Sequence, residues 1–333
     1  MRHKYFNILT ILLLVSTIIV SIFSGFRDVW VGTDTENYTY FYNAILLGSK
    51  NYVNYEPLFI IFSRIIASFE LNSNFFLFFI TLLITWVYLF AFVKSSKIWK
   101  KGYGLLPVYT LMLFSSWYLV ATINGLRQGI ALAVLYVAMA FLADRKRFHF
   151  VIIFFLALGF HTSTILIVPF LPLYLISLKK LSYLYSMVAL FSITGLSENF
   201  IKIISKTFNF GVYDKIKDYG STASVAEFYG YRIDIFIYSV LWVYFFIFLR
   251  RFLRNEYSHK FDLIIKNFII LSFPYLFFGF GGFSNRYAII AWFYLPLIQA
   301  TYIVFSKLSD RLKYLPFLII LPISLLNYIS IVY

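Results

Sequence analysis

The chain has 333 residues, of which 61% are hydrophobic, 23% aromatic and only 13% charged, with a formal net charge of +15. Soluble domains carry about 45–50% apolar and about 25% charged residues, so a soluble globule, a disordered chain and a disulfide scaffold are excluded, and an all-α polytopic membrane protein remains. The apolar runs are long and unbroken, which argues against a membrane barrel. The absence of Cys removes thiolate chemistry, and four His without metal-ligand spacing predict no metal and no cofactor.

The first run, 5–23, follows Arg2, His3 and Lys4 as in a signal peptide. No small-x-small pair follows it, which predicts a retained helix. Further runs lie at 74–93, 103–121, 125–143, 150–178, 181–196, 231–249, 262–280, 286–305 and 314–332. Run 150–178 carries Gly159, His161, Pro169 and Pro172 and reads as two short helices meeting near His161. The total is about eleven spans in a single transmembrane domain, 1–333, at 1.5 Å per residue across roughly 30 Å of hydrocarbon. The stretch 57–69 contains Arg64 and is too short to cross.

With the N-terminus inside, the clusters Lys94/Lys97/Lys100/Lys101, Arg145/Lys146/Arg147, Lys179/Lys180, Arg250/Arg251/Arg254/Lys260 and Lys307/Arg311/Lys313 all fall inside. That placement gives 19 basic residues inside and 10 outside, the expected bias. The charge therefore faces anionic membrane lipid and does not indicate nucleic acid. The larger loops, 24–73 (with the non-crossing helix 57–69) and 197–230, lie outside. The inner loops lack nucleotide-binding motifs.

Polar residues concentrate at the outer face. Thr33-Asp34-Thr35 reads either as the cap of a helix starting near Glu36 or as a pocket rim. In the rim reading Arg27 faces a phosphate and Asp34 a sugar hydroxyl, with Tyr38 and Phe41 on successive turns. Glu56 before Pro57 is a helix cap or the partner of an arginine. Asn124, Arg127 and Gln128 would share one face of a helix. His161 sits among Thr162, Ser163 and Thr164 as a structural, proton-transferring or phosphate-binding residue. Loop 197–230 reads as an amphipathic lid with its aromatic residues toward lipid. Arg232 opens a later span, and Asn285-Arg286-Tyr287 follows a glycine-rich turn. Arg27, Arg127, Arg232 and Arg286 map to one face, and the planar guanidinium suits a lipid-linked diphosphate.

The strings Phe26-Arg27-Asp28, Gly32-Thr33-Asp34-Thr35, Tyr38, Glu56-Pro57, Asn124-Gly125-Leu126-Arg127-Gln128-Gly129, Phe160-His161-Thr162-Ser163 and Asn285-Arg286-Tyr287 together resemble the EpsG family, which is related to the Wzy polymerases of O-antigen, capsule and exopolysaccharide. The resemblance implies a GT-C-like fold in the bacterial inner membrane, with a site facing the periplasm or the outside. It implies transfer of a glycan from undecaprenyl diphosphate to a hydroxyl of an incoming lipid-linked repeat unit. Undecaprenyl-diphosphate-linked oligosaccharides are then the substrates, and a flippase and a chain-length co-polymerase the expected protein partners. On that reading His161, Asp34, Glu56 and Arg127 are catalytic, and Arg27, Tyr38, Asn124, Gln128, Arg232, Asn285, Arg286 and Tyr287 bind substrate. The alternatives are another polyprenyl-phosphate-dependent glycosyltransferase, a glycan ligase, or a lipid-linked oligosaccharide flippase or transporter. A transporter would carry charge through the membrane, whereas the mid-span positions here are apolar.

Overall fold

Apolar residues on every face of a helix bury it on every side, and α7 (Leu126–Ala143) is such a helix. Thirteen of its eighteen residues are buried. It packs between α4 (Ser73–Ser96) and α8 (Arg147–Phe160). The computed structural model describes residues 2–49, 54–97, 105–209, 211–221, 231–309 and 311–314. Two compact units form, one from residues 1–164 and 296–333, the other from 165–295.

In the first unit α1 (Arg2–Gly25) packs on α4. α2 (Thr35–Leu46) and α3 (Pro57–Ala67) lie over the end of α4 where it begins. α5 (Leu105–Leu113) and α6 (Ser116–Leu119) meet at a 73° bend, and α6 runs into a π-helical turn over Val120–Asn124. Between helices in a bilayer, van der Waals contact and polar bonds replace the hydrophobic effect. Accordingly, Trp86 donates to Thr17 at 3.0 Å, Ser24 meets Thr81 at 2.9 Å and Thr85 meets the Tyr118 hydroxyl at 2.7 Å. Small residues bring backbones close, most tightly at Gly129, where an added Cβ would sit 2.3 Å from the Ala121 carbonyl oxygen.

The polar ends of this unit are distinct. Where α4 and α7 end, Lys94 and Lys97 both pair with Asp144, at 2.9 and 2.6 Å. At the opposite end of α7, about 27 Å away at 1.5 Å per residue, lie Arg127, Glu56 and His161. α8 starts beside the first cluster and ends at the second, its 14 residues rising about 21 Å along the roughly 27 Å of α7. The chain then leaves α8 through extended His161 and enters a 3-10 helix, Thr162–Leu175. The expected break at His161 is therefore present.

The second unit holds most of that 3-10 helix with α9 (Leu178–Ile193), α10 (Leu196–Thr207), α11 (Val212–Ser221), α12 (Ile233–Leu249), α13 (Asn255–Phe278) and α14 (Asn285–Trp292). α13 packs on α9, α12 and α14. The break between α9 and α10 bends the chain by 86°. Arg250 pairs with Asp262, linking α12 to α13 near their basic ends.

Among the described residues, five helices are long and apolar enough to cross a membrane, or up to seven if each bent pair is one span. The helix over 57–69 is short, as expected, and begins with Pro57. Segment 103–121 is broken at its bend, so its continuous span is corrected to a bent pair. Segment 197–230 was expected as a lid with outward aromatics. Its described part contains α10 and α11; Phe200 and Phe208 are exposed, whereas Tyr213 stacks on Phe280 and donates to Glu198. Just beyond the segment, Tyr231 donates to the Tyr275 and Leu276 carbonyls. These phenols turn inward because carbonyl and carboxylate acceptors meet them there. The run 314–332 lies almost wholly outside the described residues.

Two outcomes follow from this packing. Cysteines placed at Asn37 and Lys97, in a chain with none of its own, will label from opposite membrane faces; labelling of both from one face would contradict the arrangement. Gly129→Ala should lower thermal stability by about 1–3 kcal/mol through overpacking, read as a drop in Tm of the detergent-purified protein.

Candidate functional site

Glu56 has extended backbone angles at the N-cap of α3, and its carboxylate makes no capping bond. It turns toward two later parts of the chain. Arg127 Nη1 donates to Oε2 at 2.5 Å. His161 Nδ1 lies 2.6 Å from Oε1, and the Thr162 backbone N–H donates to the same oxygen at 3.1 Å. The Glu56 side chain is only 10% exposed, against 24% for Arg127 and 23% for His161. This reach is possible because α8 stops at Phe160 and exposes its final turn. Leu58 of α3 packs directly on Gly159 there.

Burial alone would raise the Glu56 pKa. Hydrogen bonds and charge from His161 and Arg127 outweigh it and hold the carboxyl well below the usual carboxylate range. Glu56 is therefore ionised and accepts hydrogen bonds without donating. It follows that the proton between the two groups is on His161 Nδ1, which donates to the carboxylate.

Two tyrosines complete this wall. The Arg127 guanidinium lies 4.0 Å over the Tyr55 ring. The buried Tyr38 hydroxyl hydrogen-bonds the same guanidinium; burial pushes its pKa up to about 12, so it stays protonated. Asp34 acts electrostatically on both tyrosines.

Beside this wall the first loop is tied down. Arg27 donates to the Ser24 carbonyl at 2.5 Å, to Thr35 Oγ1 at 3.0 and 3.2 Å and to the Ile123 carbonyl at 3.3 Å. Burial lowers its pKa to about 10, and it remains charged at neutral pH. Asn124 Oδ1 accepts from the Thr33 N–H at 3.0 Å. Gly32 adopts φ +87°, and an added Cβ would lie 2.4 Å from Asn124 Oδ1, so only glycine fits.

Glu56, Arg127, His161 and Tyr38 come together, with Asp34 in electrostatic reach of the tyrosines. The shared face expected for Asn124, Arg127 and Gln128 does not form. The π turn ends at Gly125, a new helix starts at Leu126, and Asn124 is drawn to Thr33. Gln128 is buried. The helix expected near Glu36 starts at Thr35, and Asp34 makes no capping bond. In the second unit, exposed Arg232 pairs with Asp234, and Arg286 lies 4.6 Å over Phe283 beside Asn285. Tyr287 faces Phe278. Tyr55 and the Thr162 N–H are site groups that the sequence reading missed. Tyr55 adjoins Glu56, but no sequence spacing relates it to Arg127. No group of three or more potential metal-ligating side chains occurs among the described residues.

A multi-pass helical membrane protein with a carboxylate–arginine–histidine wall at the end of its bundle is thus defined. The EpsG family model matches residues 10–333, and the chain belongs to that family, which is associated with Wzy-type polymerases. No curated protein and no solved structure matches it.

The ionised state of Glu56 has a pH signature. A depressed carboxyl contributes its full stabilisation above the unfolded value, about 4.3. That contribution is lost as pH falls from there through the lower folded value. Wild-type Tm should therefore be insensitive to this group between about pH 5 and 7 and fall on further acidification. Glu56→Gln should have a lower Tm at pH 7 and a shallower acid decline.

Proposed function

We propose that the protein polymerises exopolysaccharide repeat units, transferring a glycan from undecaprenyl diphosphate to a hydroxyl of an incoming lipid-linked unit. The observation that carries this reading is the Glu56–His161 pair within a member of the EpsG family: an ionised carboxylate fixes Nδ1–H and leaves Nε2 as a proton acceptor. The acceptor oxygen bonds to the anomeric carbon, and its proton passes to Nε2. The bond from that carbon to the diphosphate oxygen breaks, and the electron pair leaves with the polyprenyl diphosphate. Direct displacement inverts the anomeric centre.

Arg127 has two tasks in this scheme. It holds Glu56 ionised, and it offers positive charge to the leaving diphosphate. Arg232 and Arg286 are assigned to donor binding, with Asn285 and Tyr287 beside Arg286. Asn124 and Arg27 shape the rim, Gln128 supports the start of α7, and Asp34 orients the acceptor sugar. The site faces the periplasm or the outside, and about eleven crossings of a GT-C-like bundle carry it. The traverse of α8 supports counting that short helix among them. A flippase supplies the substrate, and a co-polymerase sets chain length.

The test is incubation of purified protein with one defined undecaprenyl-diphosphate repeat unit, followed by gel analysis. A ladder is expected. His161→Ala should lower kcat by about 10²–10⁴-fold while leaving donor affinity within about twofold. A single-addition product would make the protein a simple transferase, and full turnover by His161→Ala would remove the base.

A further inference from the structure

A guanidinium on a long side chain has many rotamers, yet the proposed base depends on a single orientation of Arg127. Its Nη1 bond to Glu56 is one restraint. The Tyr38 hydroxyl is another, but both act at the edge of the group, and its flat face needs a restraint of its own against tilting out of plane. Tyr55 supplies it: the guanidinium carbon lies 4.0 Å over the ring centroid. That ring is itself immobilised. Its centroid is 4.7 Å from that of Phe41 and 5.7 Å from that of Phe59, and Phe41 and Phe59 stack at 5.6 Å. Tyr38 closes the same cluster, 5.9 Å from Tyr55. Arg127 Nε is buried and has no hydrogen-bond partner among the described residues. Nothing on that edge therefore holds the plane in place of Tyr55.

We propose that Tyr55 is a positioning residue: its ring face locks Arg127 flat, so that Arg127 holds Glu56 and Glu56 holds His161 in the tautomer the reaction requires. This rests on the polymerase reading for its meaning in catalysis, but the coupling itself exists in the resting protein. The groups that face His161 through this chain are Glu56, Arg127, the Tyr38 hydroxyl and Asp34. Loosening Arg127 removes positive charge from the Glu56 carboxylate, and the less compensated carboxylate then favours the imidazolium. The ring face does this work and the phenol does not, so phenylalanine replaces it.

The experiment is histidine-selective isotope labelling of the full-length protein in lipid nanodiscs, with the His161 signal assigned by its loss in His161→Gln. Tyr55→Leu should move the His161 titration midpoint up by about half a pH unit, which is the size of such a contact converted at roughly 1.36 kcal/mol per unit. Tyr55→Phe should leave the midpoint unchanged. If the leucine variant does not give monodisperse protein, Tyr55→Met takes its place. In the ladder assay Tyr55→Leu should lose about 5-fold or more in kcat with its acid limb displaced upward, while Tyr55→Phe stays near wild type. A wild-type His161 midpoint in a folded ringless variant would overturn the proposal. So would a midpoint in Tyr55→Phe shifted as far as in the ringless variant. Because the midpoint is read without turnover, failure of the polymerase reading would leave this test intact, and failure of the coupling would leave the ladder intact.

Discussion

The Glu56 carboxylate is the constraint on which the described end of the first unit depends. It sits at the start of one helix, nearly covered, where an uncompensated negative charge is costly. Compensation comes from the start of α7 and from the end of α8, some 70 and 105 residues later in the chain. Three chain segments must therefore meet at one point. Removing one partner would leave the others charged and covered, which is more damaging than never having formed the pair. The opposite end of α7 is held by the same principle, with Asp144 between Lys94 and Lys97. Between these two clusters α7 is apolar and densely packed, so charge fixes its ends and contact fixes its middle.

That arrangement changes what Arg127 means chemically. An arginine near an apolar span suggests a free cation for an anionic ligand. Here its charge is already shared with Glu56, one face rests on Tyr55 and Tyr38 bonds it. The strongest consequence is felt at His161, whose tautomer is set by an ionised neighbour. In the proposed reaction that residue is the oriented proton acceptor and Arg127 supports it through Glu56. Arg27 differs again: the carbonyls of Ser24 and Ile123 and the Thr35 hydroxyl occupy its donors, and it joins the end of α1, the start of α2 and the π turn.

The second unit solves a related problem with neutral groups. Tyr231 and Ser192 both donate to the Leu276 carbonyl near the end of α13, and Tyr275 donates to the Arg232 carbonyl. Phenols and hydroxyls satisfy backbone acceptors there without burying charge. Tyr231, at the approach to α12, is drawn inward by that cluster, and Tyr213 turns inward from a segment whose amphipathic composition suggests a surface lid.

Several features were legible in the sequence by itself. Membrane character, helical class, the break at His161, Pro57 as a helix start and the family all follow from local composition, spacing or motif, because a bilayer leaves few solutions for a chain this apolar. The paired fates offered for Glu56 and His161 were also legible, as alternatives. Tertiary structure alone decided which partners they took. Capping is a local bond, but Glu56 found a better partner in Arg127, 71 positions away, and His161 bonded to Glu56 instead of to its neighbouring hydroxyls. The helix expected across Asn124–Gln128 failed for the same reason: Thr33 and Arg27, from the first loop, drew Asn124 and the Ile123 carbonyl into a π turn. Tyr55 was invisible as a partner because stacking leaves no periodicity in a sequence. Local rules predict what a segment can do, and long-range polar partners determine which of those options lowers the free energy.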